Sequence, residues 1–436
     1  MSGGLKFHSM RKKNTFLKLV SGSVYDLPVP VNISYLWNFG SLMGLCLVIQ
    51  IVSGLFLAMH YTPSADLAFD SVWWISRAMN HGWLLRSCHA NGASAFFVCI
   101  YIHIGRGLYY HSFSLHKTWS SGVLMFVLLM AIAFTGYVLP WGQMSFWAAT
   151  VITNMITAIP YGVELLKYIW GGEVVGDPTL KRFFIFHFIS PFVLGLLAAV
   201  HMAFLHETGS GNPLGVSSEA DCVPFYPYYV LKDFFGAVVF LFVFFMVVLV
   251  SPDMFGLPDN FIRADSMKTP VHIEPEWYFL FAYSILRSID DKVGGIVLMF
   301  GSILVLFILP RSRKTMIKGS QFNFLGRVWF WLLVLSFCIL TFIGTRNPEE
   351  PYNSMAGLCS KVHYGFFLTY IPACWVWERV YIVHDFELYG KSSLLSLGKK
   401  YFPQLYFKSS VKGVSSTGKA DKGGEVSDFN YWHCVK

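Results

Sequence analysis

Two pairs of histidines with one spacing are the residues of this sequence best suited to chemistry. His89 and His103 are fourteen residues apart, and so are His187 and His201. Each pair lies in a long, mostly apolar stretch. In a helix, fourteen residues rise about 21 Å and return to within about 40° of the starting face. Each helix would therefore present two imidazoles on one side, one towards either end.

Neutral imidazole is a ligand for zinc, copper and iron. If both helices run in the same direction, His89 lies level with His187, and His103 lies level with His201. Two ligands per level leave a tetrahedral zinc site incomplete, whereas a haem brings four nitrogens of its own and needs two axial ligands. We therefore favour two bis-histidine haems. The alternatives are packing histidines held by hydrogen bonds and a proton pathway.

Four glycines repeat the same interval. Gly40 and Gly54 are fourteen residues apart, and so are Gly122 and Gly136. A glycine inside a helix costs about 1 kcal/mol relative to alanine. Small residues in membrane helices commonly serve helix packing, but the shared interval favours room for two flat macrocycles.

Two arginines accompany the first histidine pair. Arg86 and Arg106 each lie three residues from a histidine, towards the nearer end of the helix. We interpret them as partners of haem propionates, and the alternative is that each extends its charge to the membrane surface.

The composition places these helices in a membrane. Of the 436 residues, 55% are hydrophobic and only 13% are charged, about half the roughly 25% usual in soluble domains. A spanning helix needs about 20 mostly apolar residues, and two crossings separate the two histidine helices, which therefore run in the same direction. The predicted spans are 36–58, 84–108, 120–140, 183–205, 229–250, 294–310, 325–344 and 362–382.

The charges of the connections predict the orientation. Residues 1–34 hold five basic residues and one acid, 311–327 hold five basic residues and no acid, and 251–293 hold seven acids and four bases. The positive-inside bias then places both termini on the matrix or cytoplasmic side. The net charge of +8 reflects this topology and the lysine-rich tail, so we expect no nucleic-acid partner. None of the eight cysteines forms a Cys-x-x-Cys motif, which excludes the usual signature of covalent haem attachment.

Two long connections lie on the side opposite the termini. Residues 141–182 include an apolar stretch, 146–159, that is too short to span. It suits helices that lie in the interface, and a plain loop is the alternative. Residues 251–293 contain four prolines and then Glu276-Trp277-Tyr278-Phe279. Long ordered loops tend to be functional, so two on one face predict a shared site.

Three segments resemble the cytochrome b family. They are His89–Ser94 (HANGAS), Gly136–Trp147 (GYVLPWGQMSFW) and Pro275–Tyr278 (PEWY), and the resemblance extends in order over 25–385. It implies the dihaem membrane subunit of the quinol:cytochrome c oxidoreductase, the cytochrome bc complex or respiratory complex III. The implied fold is an all-α membrane protein of about eight transmembrane helices. Its N-terminal four-helix bundle holds two stacked, non-covalent b-type haems.

The resemblance also implies the course of electrons. His89 and His187 would hold the low-potential haem iron near the positive side, and His103 and His201 the high-potential haem iron near the negative side. Ubiquinol would be oxidised at the positive side, with one electron passing to a Rieske iron–sulfur protein and one to the low-potential haem. The second electron would cross both haems and reduce a quinone at the negative side, coupled to proton translocation.

At the quinol-oxidising site, the resemblance implies that Glu276 accepts a proton and that Phe134, Tyr137, Ala148 and Tyr278 contribute to the pocket. A carboxyl beside aromatic side chains is expected to have a raised pKa and to act as a proton acceptor. The alternative is an interfacial, solvated glutamate. Ala148 stands where many members of the family have glycine, which predicts weak binding of methoxyacrylate-type inhibitors.

At the quinone-reducing site, the resemblance implies that His206, Ser210 and Asp233 contact the ring and deliver protons, with Lys232 nearby. The sequence without the resemblance indicates only that His206 and Asp233 cap helices on the same side. A milder departure from the family is Glu274, directly before the proline of Pro-Glu-Trp-Tyr.

These observations divide the chain into four parts and predict its setting. The parts are a matrix-side lead-in (1–34), the haem-binding bundle (35–225), a C-terminal four-helix region (226–390) and a polar, basic tail (391–436). The expected partners are ubiquinol and ubiquinone, the Rieske protein, a c-type cytochrome subunit and the other complex III subunits in a dimeric complex. We expect the mitochondrial inner membrane, with a bacterial plasma membrane as the alternative. Competing functions are a dihaem anchor of another quinone-linked dehydrogenase and a histidine-relay proton transporter.

Overall fold

The described part of the protein is mostly helical. The computed structural model describes residues 14–219, 221–312 and 318–370, with 372–374, 376 and 380. Its α-helices are α1 (Thr15–Val20), α2 (Phe39–Ala58), α3 (Ala68–Arg77), α4 (Gly82–Tyr109), α5 (His116–Val138), α6 (Gln143–Asn154), α7 (Gly162–Trp170), α8 (Asp177–Thr208), α9 (Phe225–Val250), α10 (Leu280–Arg287), α11 (Lys292–Leu304), α12 (Phe324–Gly344) and α13 (Tyr352–Gly365). Two short antiparallel strands, β1 (Pro28–Pro30) and β2 (Cys222–Pro224), join the lead-in to the start of α9.

Six described helical segments are long and apolar enough to cross a membrane, which agrees with the predicted multi-pass, all-α architecture. They are Tyr35–Ala58, His116–Val138, Asp177–Thr208, Phe225–Val250, Lys292–Pro310 and Phe324–Gly344. At 28 residues, α4 is also long enough to span and coincides with the predicted span 84–108. It is more polar than the six because it carries Arg86, His103 and Arg106 among its residues.

The last predicted span, 362–382, begins too late. The helix that contains its first residues is α13, which begins at Tyr352, ten residues earlier, directly after Pro351. A proline fits the first turn of a helix because that turn needs no intrahelical donor. Polar residues in the first turns of α13 hide this start from a hydropathy window. Most of 371–382 and all of the 391–436 tail lie outside the described residues.

The helices form two connected groups. In the N-terminal group, α2 packs along α4 and α5 packs along α8, and α9 lies against α4 and α2. In the C-terminal group, α10 packs on α11 and α12, and α13 packs on α12. One large cluster of buried apolar side chains runs through both groups. The histidine-bearing helices α4 and α8 thus each belong to a different tightly packed pair.

The two long connections contain helices and contact each other. The 141–182 connection folds into α6 and α7, so the prediction of helices is confirmed and the plain loop is wrong. Asn260 Oδ1 accepts hydrogen bonds from the Ser145 backbone N–H at 2.9 Å and from the Ser145 hydroxyl at 3.0 Å. Gln143 Nε2 donates to the Lys268 carbonyl at 3.0 Å, and Gln143 Oε1 accepts from the Asp265 N–H at 2.8 Å. These bonds fix the 251–293 loop to the N-terminus of α6.

Candidate functional site

The four spaced histidines meet across the N-terminal bundle in the predicted pairs. The rings of His89 on α4 and His187 on α8 have centroids 6.1 Å apart and planes inclined at 84°. A metal–imidazole bond is about 2 Å long and the ring nitrogen lies about 1 Å from the ring centre, so two axial imidazoles on one metal have centroids about 6 Å apart. This level therefore fits an iron with two axial ligands. His103 and His201 interact electrostatically and form the second level.

The hydrogen bonds of three histidines set the tautomer that a metal ligand needs. His187 Nδ1 lies 2.8 Å from the carbonyl oxygen of Ile132 on α5. A carbonyl only accepts, so Nδ1 carries the proton and Nε2 keeps its lone pair. Metal-binding histidines commonly donate their second ring N–H to such a partner, which fixes the orientation of the ring.

Serine hydroxyl oxygens accept the Nδ1–H of His89 and of His201 in the same way. Ser53 Oγ donates to the Ile49 carbonyl at 2.6 Å and lies 2.9 Å from His89 Nδ1. Because its hydrogen is already used, the Ser53 oxygen accepts from the imidazole. Ser121 repeats the arrangement, with the Thr118 carbonyl at 2.9 Å and His201 Nδ1 at 2.9 Å. Each of these three rings therefore presents a free Nε2.

The sequence contains a signal for the two serines that our sequence reasoning missed. Ser53 directly precedes Gly54 and Ser121 directly precedes Gly122, so a Ser-Gly pair occurs once on each helix that faces a histidine helix.

Each of the four spaced glycines faces one histidine. A Cβ atom built on Gly136 would lie 2.3 Å from Cε1 of His187, and one on Gly54 would lie 3.1 Å from Cε1 of His89. The corresponding distances are 3.1 Å from Gly122 to His201 and 3.7 Å from Gly40 to His103. The glycines therefore leave room for the imidazole rings themselves. Room for macrocycles stays a prediction.

The two arginines lie against other polar groups. Arg106 Nη2 donates to His103 Nδ1 at 3.3 Å, and its guanidinium lies 5.0 Å from the centre of the Trp37 ring. The contact makes His103 Nδ1 an acceptor, unlike the other three histidines, so iron binding through Nε2 requires Arg106 to turn aside. Arg86 interacts electrostatically with Glu276 and Asp253. Pairing of either arginine with a propionate stays a prediction.

Glu276 lies at one end of the bundle, next to side chains from two helices. Its pKa is raised to about 7, because burial disfavours the charged carboxylate. The positive charge of Arg86 and the phenol of Tyr137 act in the opposite direction, and the nearby Glu274 adds to the rise. The hydroxyl of Tyr137 is buried close to this carboxyl without a well-formed hydrogen bond. A carboxyl of this kind takes up a proton near neutral pH.

The other predicted residues of this site lie on three elements. Phe134 is on α5 and packs against Phe183 with ring centroids 5.7 Å apart. Ala148 is buried on α6. Tyr278 is buried after Glu276 and stacks on Phe97 of α4 at 4.0 Å with an interplanar angle of 3°. The bonds between α6 and the 251–293 loop hold these elements together.

Predicted residues of the second quinone site lie at the opposite end. Lys232 and Asp233 are in the first turns of α9, where Lys232 Nζ donates to the Ile33 carbonyl. Asp233 lies near Ser41 at the start of α2, whose hydroxyl donates to the Asn38 carbonyl at 2.8 Å. His206 is in the last turn of α8, and its buried Nε2 has no hydrogen-bond partner within the described residues.

Ser210 follows α8 and donates to the Gly211 carbonyl at 3.0 Å. His206 and Asp233 belong to different helices, α8 and α9. A common role of these residues therefore stays a prediction.

Comparisons with known proteins agree with this geometry. Residues 24–209 match the family described as cytochrome b/b6/petB, and 263–364 match the family described as cytochrome b (C-terminal)/b6/petD. A solved structure described as a hyperthermophilic respiratory complex III superposes with a TM-score of 0.78 and 31% sequence identity, covering 84% of this chain and 98% of that chain. The family profiles together cover more than half of the sequence, and the fold and the histidine levels described above fit them. The chain belongs to the cytochrome b family.

Proposed function

We propose that this chain is the central electron-transfer subunit of a quinol:cytochrome c oxidoreductase and contributes its catalytic sites. It oxidises ubiquinol near Glu276, passes electrons across the membrane and reduces a quinone near His206 and Asp233, coupled to proton translocation. The observation that carries this proposal is the level pairing of four histidines on α4 and α8. Membership of the cytochrome b family supports it, since that family normally binds b haems.

Two b haems are the cofactors that we propose. His89 and His187 would hold one and His103 and His201 the other, and each bound haem would supply a one-electron redox centre. Ser53, Ser121 and the Ile132 carbonyl hold three of these rings in the ligand tautomer. Levels fourteen residues apart lie about 21 Å from each other along the helices. The chain thus holds one acceptor near each membrane surface.

At the quinol side, Glu276 takes up the proton that leaves the quinol. Arg86 and Tyr137 lie near the carboxyl, and burial brings its pKa to about 7, where a carboxylate can accept and release a proton under physiological conditions. Phe134, Ala148 and Tyr278 provide apolar surface around the ring, as ligand pockets generally do. We assign this site to the positive side of the membrane.

At the quinone side, Asp233 and His206 supply protons to the reduced quinone. Asp233 lies near Ser41, and the buried Nε2 of His206 has no hydrogen-bond partner among the described residues. Lys232 and Ser210 lie beside them in the chain. The connections 1–34 and 311–327 are basic, whereas 251–293 is acidic. This difference in charge supports the assignment of this site and both termini to the matrix side.

The match to a complex III structure supports a multi-subunit setting. We propose the Rieske iron–sulfur protein and a c-type cytochrome subunit as electron acceptors, within a dimeric complex in the mitochondrial inner membrane.

The decisive experiment is optical. Reduced-minus-oxidised spectra of the purified complex should show split α-bands of b-type haem, and ubiquinol should reduce these bands. A histidine-relay transporter predicts no visible absorbance. A dihaem anchor of another dehydrogenase predicts haem absorbance with quinol reactivity that is insensitive to Glu276→Gln. Either result would contradict the proposed function.

A further inference from the structure

Three titratable side chains form a row that begins at Glu276 and ends at the protein surface. They are Glu276, Glu274 and His272, and each is separated from the next by one residue. His272 Nε2 lies 3.3 Å from Glu274 Oε2, which is within hydrogen-bond distance. Glu274 in turn lies close enough to Glu276 to interact with it electrostatically. A hydrogen-bond contact thus joins the outer two members of the row, and an electrostatic interaction joins the inner two.

Exposure to solvent increases along this row. The side chain of His272 is 31% exposed and that of Glu274 is 16% exposed, and burial desolvates the carboxyl of Glu276. A proton on Glu276 thus starts at the end of the row opposite His272. The side chain of His272 is more exposed to water than that of Glu274.

Other elements hold the row in place. Tyr283 on α10 donates its hydroxyl to the carbonyl of Ile273 at 3.0 Å, and Arg287 lies 5.1 Å from the Tyr283 ring centre. The charged and titratable groups that face Glu276 from other elements are Arg86 of α4 and Tyr137 of α5. Asp253 faces Arg86 from the start of the 251–293 loop.

We propose that Glu274 and His272 carry the proton from Glu276 to the aqueous phase after quinol oxidation. Protonated Glu276 passes its proton to the Glu274 carboxylate, directly or through one water molecule. Glu274 passes it to Nε2 of neutral His272, and the imidazolium releases a proton from Nδ1 to water. Glu276 and Glu274 return to their ionised state, and His272, left as its Nε2–H tautomer, regains its starting tautomer by exchanging protons with water. One proton has then moved outward without any change in electron count. The proposal rests on the proposed function, because it needs quinol as the proton source.

Glu274 and His272 act through Glu276 and do not touch quinol, so their loss should cost less than loss of the acceptor itself. In the complete complex, Glu274→Gln and His272→Gln should each slow quinol-driven haem reduction about tenfold, below the roughly hundredfold or larger effect of losing a direct acid–base group. Small diffusible weak bases, such as neutral imidazole from the buffer, should restore the rate by accepting the proton from Glu276. The double variant should be no slower than either single variant, since both lie on one path.

The matched control is Asp259→Asn, which changes an exposed carboxylate of the same loop and should leave the rate unchanged. Single variants within twofold of wild type would overturn the relay. Slow variants that weak bases do not rescue, and whose effects add, would also overturn it. The proposed function fails in a different way: the wild-type complex itself would then show no haem reduction by quinol.

Discussion

Alanine substitutions at the four spaced glycines should damage the haem sites in a graded order that follows from the structure. Carbon atoms pack at about 3.5 Å or more. A Cβ on Gly136 would lie 2.3 Å from His187 Cε1, so the ring must move by about 1.2 Å. At Gly54 and Gly122 the distance is 3.1 Å, which requires about 0.4 Å. At Gly40 the distance is 3.7 Å, and no movement is needed.

Overpacking costs about 1–3 kcal/mol, and the cost should increase with the distance that the ligand ring must move. Gly136→Ala should therefore lose most of the haem at the His89/His187 level, whereas Gly54→Ala and Gly122→Ala should retain haem with weakened ligation. Gly40→Ala should retain both haems.

The assay is haem per protein in the purified complex, combined with a redox titration that separates the two levels. Gly44→Ala is the matched control on α2, because a Cβ there meets nothing within 4 Å. Full haem occupancy in Gly136→Ala, or equal losses in Gly136→Ala and Gly40→Ala, would refute the reasoning.

Three further substitutions test other parts of the account. Glu276→Gln should lower the rate of quinol oxidation by about a hundredfold or more. The wild-type rate should rise as the pH increases towards about 7, because only the ionised carboxylate accepts a proton, and the variant should lack this rise. A preserved pH profile in steady-state rates would contradict this role. Ser53→Ala removes the acceptor of the His89 N–H and should weaken ligation by about 10–100-fold, measured by haem loss on dilution, while Ser76→Ala on α3 serves as a control. Ala148→Gly should make the complex sensitive to methoxyacrylate-type inhibitors, and an unchanged inhibition constant would count against the prediction.

Helix geometry explains why the sequence predicts the levels of the histidines but not the side chains that they contact. The rise and turn of a helix are fixed, so the spacing of His89 and His103 and of His187 and His201 is enough to determine their levels. The partner of each glycine depends on how α2 packs on α4 and how α5 packs on α8. No spacing along one helix contains that information, so the contact of Gly136 with His187 could not be predicted from the sequence.

Polar contacts between residues far apart in the sequence also could not be predicted from it. Arg106 lies against His103 of its own helix, but its stacking on Trp37 depends on a residue 69 positions earlier. The carbonyl that accepts the His187 N–H belongs to the backbone of Ile132. Every residue has such a carbonyl, so no residue type identifies this partner in the sequence. The quinone-site residues were assigned through the resemblance alone, because an isolated glutamate beside aromatic residues has many possible environments.

The most direct test of the central claim is the haem stoichiometry of the purified complex, measured as pyridine haemochrome and assigned to this subunit. The account predicts two non-covalent b haems, with one lost when His187 is replaced by glycine and the second retained. A single haem, or two haems that survive the loss of His187, would contradict bis-histidine ligation at two depths.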